Sequence, residues 1–393
     1  MLLQFKFKNF KSFKEETVLD MTAACSGEYD GDLLEPGGTT VLPVAAIFGA
    51  NAGGKSNIFH ALGTMSACIT KERDIALSPF LFDSVVKNEP TEFEVSINID
   101  GREYRYGFSG IRKSVSEEWL FDGGICVFHR SAKGCRIDVE DGKERTEIEF
   151  IHSMTDETEL ILTSLGRRRK SGYSKVFNWF SGNIRFYDFS NDSEEIFIKT
   201  DLLSFLYNNK DSLREIVRLI QKFDSAIADV SIEKERDFNG SGSKYILYSH
   251  HLDEIENVNK IRFENESSGI RKLFSIALLL LSSLNEGNVL FVDELDSRLH
   301  PLVLRYIVKM YGDRDSNSGG GQLIFSSHNL ICLDSADLRR DEIWFVEKNN
   351  QVSTLYSLFD FVDEESSDAE FNFSKNYLTG RFGAIPFQDT RGE

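Results

Sequence analysis

What the sequence lacks excludes several classes of protein. No apolar run reaches the roughly 18–20 residues of a membrane-spanning helix, and the longest, IALLLL at 276–281, suits a buried helix. The first residues, MLLQFKFKNFKSF, contain no apolar block like that of a signal peptide. The five cysteines are scattered and form no CxxC pair, which predicts reduced thiols and no zinc site. We therefore expect a cytoplasmic protein.

Positive charge is also scarce. The 393-residue chain has 45 Lys and Arg against 63 Asp and Glu, a formal net charge of −18. Because such a chain repels phosphate backbones on average, nucleic acid would need a local basic patch. The densest basic run is RRRKSGYSK at 167–175, for which a solvated loop is the simpler interpretation. No heptad repeat is sustained between 57 and 267, which excludes long coiled-coil arms.

What is present indicates a large folded core, since 41% of the residues are hydrophobic and 12% are aromatic. Alternating Phe and Lys predict a half-buried edge-type strand at 5–10, with 17–21 as its partner. Residues 91–108 predict a hairpin that turns at Asp100-Gly101, and further strands are expected up to about residue 151.

The second half of the chain alternates between helices and strands. Helices are expected at 201–208 and 213–223, with strands around a loop at 239–243. From residue 266 onward, helices at 270–284 and 301–311 alternate with strands at 288–294 and 322–328. This alternation predicts a core with a parallel sheet.

The stretch IFGANAGGKSNIF, residues 47–59, predicts a phosphate-binding loop. It satisfies G-x-x-x-x-G-K-[ST] through Gly49, Gly54, Lys55 and Ser56, between a buried strand and a helix beginning near Ser56. The glycines let backbone N–H groups surround a phosphate, and Lys55 reaches the outer phosphate oxygens. Ser56 is expected to bind Mg²⁺.

The stretch NVLFVDE, residues 288–294, predicts a buried strand that ends in two carboxylates. Asp293 could hold the Mg²⁺ shell, and Glu294 could orient and deprotonate the attacking water. The alternative is an acidic pair that merely caps a strand. His328 ends the next strand, FSSH, where it could contact the γ-phosphate, although a lone histidine there is more often structural.

A third segment, ESSGIRKLFSIALLLL at 266–281, opens a helix with small residues. A helix N-terminus of this kind can bind an anion, although a plain helix cap is the simpler interpretation. Together with the other motifs, Ser268 and Gly269 suggest a site that is completed by a second copy of the chain.

In this order, the phosphate loop, the Ser-x-Gly helix start, the Asp-Glu strand, LDSRLHP and SSH resemble the heads of ABC-type ATPases. NFKSF, GANAGGKSN and DELDSRLHP are similar to the RecF/SMC/OLD-like branch, and the resemblance covers residues 1–65 and 262–347. The ending YLTGRFGAIPF at 377–387 resembles that of single-head bacterial AAA/OLD-like ATPases. Many of these are carried in antiphage or abortive-infection operons.

The resemblance implies a head-to-head dimer that holds two ATP molecules and Mg²⁺ between its subunits. Glu294 and His328 would be catalytic, while Ser56 and Asp293 would hold the metal. Asp296 would line the dimer seam. The residues implied to bind the nucleotide are Gly49, Ala50, Asn51, Ala52, Gly53, Gly54, Lys55, Ser56, Asn57, Ser268, Gly269 and Asp296.

Two departures from the family pattern bear on turnover. Ile270 and Arg271 stand where the signature has a second glycine, so the contact across the dimer could be looser or made by Arg271. The family also has a glutamine that senses Mg²⁺ between the lobes, and none of the chain's glutamines is suitably placed: Gln4, Gln221, Gln322, Gln351 and Gln388.

We expect an α/β fold, a P-loop NTPase of the ABC-ATPase head type. It would have a mixed or parallel sheet core, an antiparallel β lobe, and an α-helical and β insertion between phosphate loop and signature. The expected domains are ATPase lobe I at 1–150, an insertion with the partner surface at 151–262, ATPase lobe II at 263–350 and a C-terminal tail at 351–393.

Three functions compete. The first is an ATP-dependent switch in bacterial antiphage defence that dimerises and regulates a separate toxic effector from the same operon, expected to be a nuclease. The second is a RecF-like ATPase of DNA repair, which would bind DNA through Arg167, Arg168, Arg169 and Lys170. The third is the nucleotide-binding subunit of a transporter. The weak signature and the long insertion argue against this function.

Overall fold

The structure is a computed structural model. It describes residues 1–24, 33–71, 74–168, 172–188, 200–224, 226–236, 243–253, 255–297, 299–333, 337–361 and 373–385. Several predicted features lie outside these residues: Arg169 and Lys170 of the basic run, most of the 239–243 loop, nearly all of the acidic stretch 362–373 and Gln388.

The first sheet is antiparallel and forms much of the N-terminal part of the chain. Numbered in chain order, its strands are β1 (Leu2–Lys8), β2 (Thr17–Asp20), β4 (Thr91–Ile99), β5 (Arg102–Ile111), β6 (Ser114–Asp122), β7 (Ile125–Ser131) and β8 (Gly134–Arg136). They are arranged in the order β2-β1-β4-β5-β6-β7-β8. The predicted hairpin at 91–108 is confirmed as β4 and β5, paired antiparallel.

The second sheet carries the phosphate loop. Its strands are β3 (Val44–Gly49), β9 (Ile184–Asp188), β13 (Val289–Asp293), β14 (Gln322–Ser326), β15 (Ile343–Asn349) and β16 (Val352–Ser357), in the order β16-β15-β3-β14-β13-β9. Neighbouring strands are parallel except for the β15–β16 hairpin. The predicted parallel core is therefore confirmed, and the carboxyl ends of its strands meet at one edge.

A third sheet contains β10 (Ile227–Arg236), β11 (Ser243–Leu252) and β12 (Val258–Arg262), which pair antiparallel in that order. The described helices are α1 (Lys55–Thr70), α2 (Gly142–Met154), α3 (Ile161–Gly166), α4 (Ser174–Asn178), α5 (Thr200–Asn208), α6 (Lys210–Gln221), α7 (Ser268–Glu286), α8 (Pro301–Gly312) and α9 (Phe373–Leu378). None of them is both long and apolar enough to cross a membrane.

Both faces of the parallel sheet are buried, which is why β13 and β14 are buried along their whole length and apolar between their ends. One face packs with α1 and the antiparallel sheet into a core that includes Phe291 and Ile324. The other packs with α7 and α8 into a core that includes Val292 and Phe325. The sheet is thus held rigidly between two apolar layers, and its edge is a firm support for a site.

Two expectations about local structure are wrong. β1 lies between β2 and β4, so it is an inner strand and not an edge strand. Alternation of apolar and polar residues indicates that one face of a strand is buried, but it does not indicate how many strands pair with it. The run of antiparallel strands, expected up to about residue 151, ends at Arg136. The helix α2 follows it, because Asp141 caps the helix by accepting the N–H groups of Lys143 and Glu144.

Within the predicted insertion, 151–262, one segment joins the main sheet. β9 pairs with β13 in parallel, while α5, α6 and the three-stranded sheet follow it in the chain. The domain boundaries remain a prediction.

Candidate functional site

The loop between β3 and α1 has the geometry of a phosphate cradle. Gly49 (φ 153°) and Gly54 (φ 119°) have backbone conformations that favour glycine. A Cβ atom on Gly49 would lie 2.4 Å from the carbonyl oxygen of Val346 on β15. The N-terminus of α1, at Lys55, opens toward the same cleft, where its unpaired N–H groups and dipole favour an anion.

The cleft has a volume of about 410 Å³ and contains most of the predicted site. Its lining residues are Ala50, Asn51, Ala52, Gly53, Gly54, Lys55, Ser56, Asn57, Asp293, Glu294 and His328. The loop after β3, the start of α1, the end of β13 and the segment after β14 therefore converge at the carboxyl edge of the parallel sheet.

Lys55 is almost completely buried, and its Nζ donates to the carbonyl oxygens of Gly49 (2.7 Å) and Ala50 (3.2 Å). Burial lowers the pKa of Lys55, and the carboxylates of Asp293 and Glu294 oppose this shift. The ammonium group thus lies at the base of the loop, between the backbone oxygens and the acidic end of β13.

Ser326 organises the acidic pair. Its buried hydroxyl donates to Asp293 Oδ1 and accepts the backbone N–H of Glu294 at 2.8 Å. The backbone of Glu294 is left-handed (φ 53°), a conformation that costs free energy and is common at active sites. Sequence reasoning overlooked Ser326, although it stands in the SSH motif that drew attention to His328.

His328 lines the cleft beside Lys55, and its backbone N–H donates to Asp296 Oδ2 at 3.0 Å. Burial, and then the nearby Lys55 ammonium, lower the pKa of His328 below its usual range. The imidazole is therefore neutral near pH 7 and can accept or donate one hydrogen bond. Asp296 itself does not line the cleft and serves here to hold the His328 backbone.

Ser268 and Gly269 lie in the first turn of α7, where Ser267 caps the helix by accepting the N–H of Ile270 at 3.2 Å. The structure does not bring either residue to the cleft of its own chain. Arg271 donates from Nη1 to the carbonyl oxygen of Glu264 at 2.9 Å.

Two further contacts support the loop from parts of the chain that the motifs did not indicate. Ser353 on β16 donates to the carbonyl oxygen of Gly53 (2.6 Å) and accepts from the hydroxyl of Ser12 (2.8 Å), which in turn accepts from Asn57 at 2.8 Å. The Ala50 N–H donates to the carbonyl oxygen of Ala384 at 3.0 Å. No local sequence pattern predicts these contacts, since they join segments that are far apart in sequence.

None of the described glutamines lines the phosphate cleft. Gln322 is buried and exchanges hydrogen bonds with Leu2, and Gln221 donates to carbonyl oxygens of Ile227 and Ala228. Gln4 on β1 donates to Asp20. Gln351 lies in the turn between β15 and β16 and lines an adjoining cavity of about 890 Å³ that shares His328 and residues 50–53 with the cleft, but no described glutamine lines the cleft itself.

The residues present fit a nucleotide with Mg²⁺. Gly49 and Gly54 give the loop the backbone conformations of a phosphate cradle, and the helix N-terminus and Lys55 favour phosphate charge. Ser56 and Asp293 offer the hydroxyl and carboxylate oxygens that Mg²⁺ prefers, and both line the cleft.

The parallel sheet, the antiparallel sheet and the phosphate loop after β3 are those of a P-loop NTPase fold, so the predicted α/β fold class is confirmed. The family model described as "AAA domain, putative AbiEii toxin, Type IV TA system" matches residues 44–334. The chain belongs to this family.

Solved structures with a similar fold include two Smc heads. One is the Smc head bound to the C-winged helix domain of ScpA, with 13% identity, 93% of this chain and 98% of that chain covered, and a TM-score of 0.46. The other, derived from Pyrococcus furiosus, is the Smc head with an extended coiled coil bound to the C-terminal domain of ScpA. It has 12% identity, 91% and 96% coverage, and a TM-score of 0.47. No curated protein matches the chain.

Proposed function

We propose that the chain binds and hydrolyses ATP with Mg²⁺, dimerises on ATP, and through that assembly regulates a separate toxic effector in bacterial antiphage defence. The observation that carries the first part is the convergence of Lys55, Ser56, Asp293, Glu294 and His328 on one cleft. The second part goes further and is supported by the family's toxin–antitoxin description and by the OLD-like ending of the sequence.

Each residue of the cleft has a task in this reaction. Ser56 and Asp293 would hold the metal, which when bound neutralises charge on the outer phosphates. Lys55 and the N–H groups at the start of α1, from Gly54 to Ser56, would bind phosphate oxygens. Glu294 orients the attacking water and accepts its proton, and neutral His328 donates a hydrogen bond to the γ-phosphate.

A second copy of the chain would complete the site. Ser268 and Gly269 open a 19-residue helix whose N-terminus is exposed and lies outside the cleft of its own chain. Facing the phosphates of another subunit, this helix end would supply N–H groups to them. ATP would then join two subunits, and hydrolysis would release them.

The partner surface is proposed to lie in the 151–262 segment. Apolar side chains at the turn between β11 and β12 are strongly exposed: Leu252 is 54%, Ile255 78% and Val258 59% accessible. Exposed apolar clusters of this kind mark interaction sites. To move an effector from 1% to 99% released, the two nucleotides must favour one state by about 5.5 kcal/mol.

The test is mass photometry of the purified chain with ATP and Mg²⁺. Glu294→Gln is expected to gather into ATP-dependent dimers or larger rings, because hydrolysis no longer releases them. Glu103→Gln, a surface change on β5, should behave like the wild type. A Glu294→Gln protein that stays monomeric with bound ATP would contradict the dimer.

The effector role is tested by co-expression with the product of the neighbouring gene. Replacing Ile255 and Val258 with Ser should abolish co-purification and leave ATP hydrolysis within about twofold of the wild type. Retained co-purification would remove the 151–262 segment as the partner surface.

A RecF-like role in DNA repair is the second candidate. Arg167 and Arg168 are exposed at the end of α3, although Arg168 pairs with Glu147 at 3.8 Å and lies over the ring of Phe150. If duplex DNA drives the ATP-dependent assembly, this role replaces the first. Neutralising the basic run should then flatten the salt dependence of DNA binding.

A further inference from the structure

The strand next to the Asp-Glu strand also ends in a carboxylate. β9 lies at the edge of the parallel sheet and pairs with β13, and the register places Asp188 directly beside Asp293. Neighbouring strands lie about 4.8 Å apart. The carboxyl ends of the two strands thus bring two aspartates together at the edge where the cleft lies.

The two aspartates also face the same side of the sheet. Two residues earlier, Phe186 and Phe291 occupy the equivalent rung and their rings stack, with centroids 5.2 Å apart. Because side chains along a strand alternate between faces, Asp188 and Asp293 share the face of this stacked pair. Both aspartates line one cavity of about 520 Å³, and Asp293 lines the phosphate cleft as well.

We propose that Asp188 is a second carboxylate of the metal site, which positions a water ligand of the Mg²⁺ held by Ser56 and Asp293. The inference rests on the proposed binding of Mg²⁺ with a nucleotide in this cleft. Mg²⁺ keeps several water ligands and demands regular octahedral geometry. Asp188 does not line the phosphate cleft that Asp293 lines, and it is therefore placed to accept from such a water instead of binding the metal itself. No described glutamine lines the phosphate cleft or the cavity shared by Asp188 and Asp293.

The strand that carries Asp188 also leads toward the helical part of the chain. β9 precedes α5 in the chain, and α5 belongs to the helical part that packs with α6 on the other face of the sheet. Asp188 is a positioning residue in this account, and Glu294 keeps the role of base.

The experiment measures metal binding directly. Electron paramagnetic resonance titrates Mn²⁺ into the full chain with a non-hydrolysable ATP analogue, and fluorescence measures binding of the analogue in EDTA. Asp188→Asn is expected to weaken Mn²⁺ binding by about tenfold, the order seen for residues that orient metal ligands. Affinity for the analogue in EDTA should stay within twofold of the wild type.

Asp188→Glu and Asp100→Asn are the controls. Asp188→Glu retains the carboxylate and should recover most of the Mn²⁺ affinity. Asp100→Asn makes the same chemical change in the β4–β5 turn, where Asn suits the left-handed backbone (φ 53°), and should match the wild type.

Four outcomes overturn the proposal or its basis. An Asp188→Asn variant that binds Mn²⁺ with wild-type affinity would overturn the role of Asp188 and leave the proposed function intact. Equal losses in Asp188→Asn and Asp188→Glu, or a loss that persists in EDTA, make the position structural and also overturn it. A wild-type chain without metal-dependent binding of the analogue would overturn the proposed function itself, and this role of Asp188 with it.

Discussion

Replacing Gly49 with alanine tests whether the phosphate loop depends on the sheet beneath it. Gly49 ends β3 and is the register partner of Val346 on β15. A Cβ atom at this position would lie 2.4 Å from the carbonyl oxygen and 3.3 Å from the carbonyl carbon of Val346. Because these are backbone atoms of a paired strand, they cannot move away without disturbing the sheet.

The expected loss combines two effects. Overpacking against an immobile neighbour costs about 1–3 kcal/mol, and the backbone conformation at φ 153° costs a residue other than glycine about 1–3 kcal/mol. The free energy of unfolding of Gly49→Ala should therefore fall by about 2–6 kcal/mol. Nucleotide affinity should fall by at least about tenfold, since shifted N–H groups no longer meet the phosphates.

Urea denaturation followed by circular dichroism measures the first quantity, and binding of a fluorescent ATP analogue measures the second. Gly38→Ala is the matched control, because Gly38 has φ 88° but a Cβ atom there would meet nothing within 4 Å. Its loss should be limited to the conformational part, about 1–3 kcal/mol. Equal losses in the two variants would refute the argument that the contact with Val346 makes Gly49 necessary.

Three other predictions concern Ser326, Glu342 and Tyr377. Ser326→Ala removes the hydroxyl that bridges the aspartate and glutamate at the end of β13, and should lower the steady-state rate of ATP hydrolysis by about 10–100-fold; an unchanged rate contradicts this. Burial raises the pKa of Glu342 to about 8, so the folded chain holds this proton between about pH 5 and 8 while the unfolded chain releases it. The free energy of unfolding should therefore fall as pH rises through this window, by up to about 1.4 kcal/mol per pH unit. Glu342→Gln should remove that slope in urea titrations at pH 5.5 and 7.5, and an undiminished slope would assign it to another group. Tyr377→Phe removes the hydroxyl that donates to the carbonyl oxygen of Ala384 at 3.0 Å, the same oxygen that accepts the Ala50 N–H. It should cost about 1 kcal/mol and weaken nucleotide binding in the fluorescence assay, and an unaltered affinity would show that the C-terminal segment does not position the loop.

The two errors in the predicted elements have different causes. Alternation in β1 described its buried face correctly but could not show that it pairs on both sides. In α2, Ile148 and Ile151 provide only a short apolar stripe, so the capping carboxylate of Asp141 was the stronger signal for a helix.

The sequence by itself determined the phosphate loop, the apolar Asp-Glu strand and most of the helices and strands. Such features depend on backbone geometry and on side-chain spacing within a few residues, and both are visible in a local pattern. Only the tertiary structure decided that Ser326 holds the acidic pair, that Ala384 holds Ala50, and that Asp188 lies beside Asp293. These contacts join segments that are distant in the chain, because strand order and register bring them together and no local spacing encodes either.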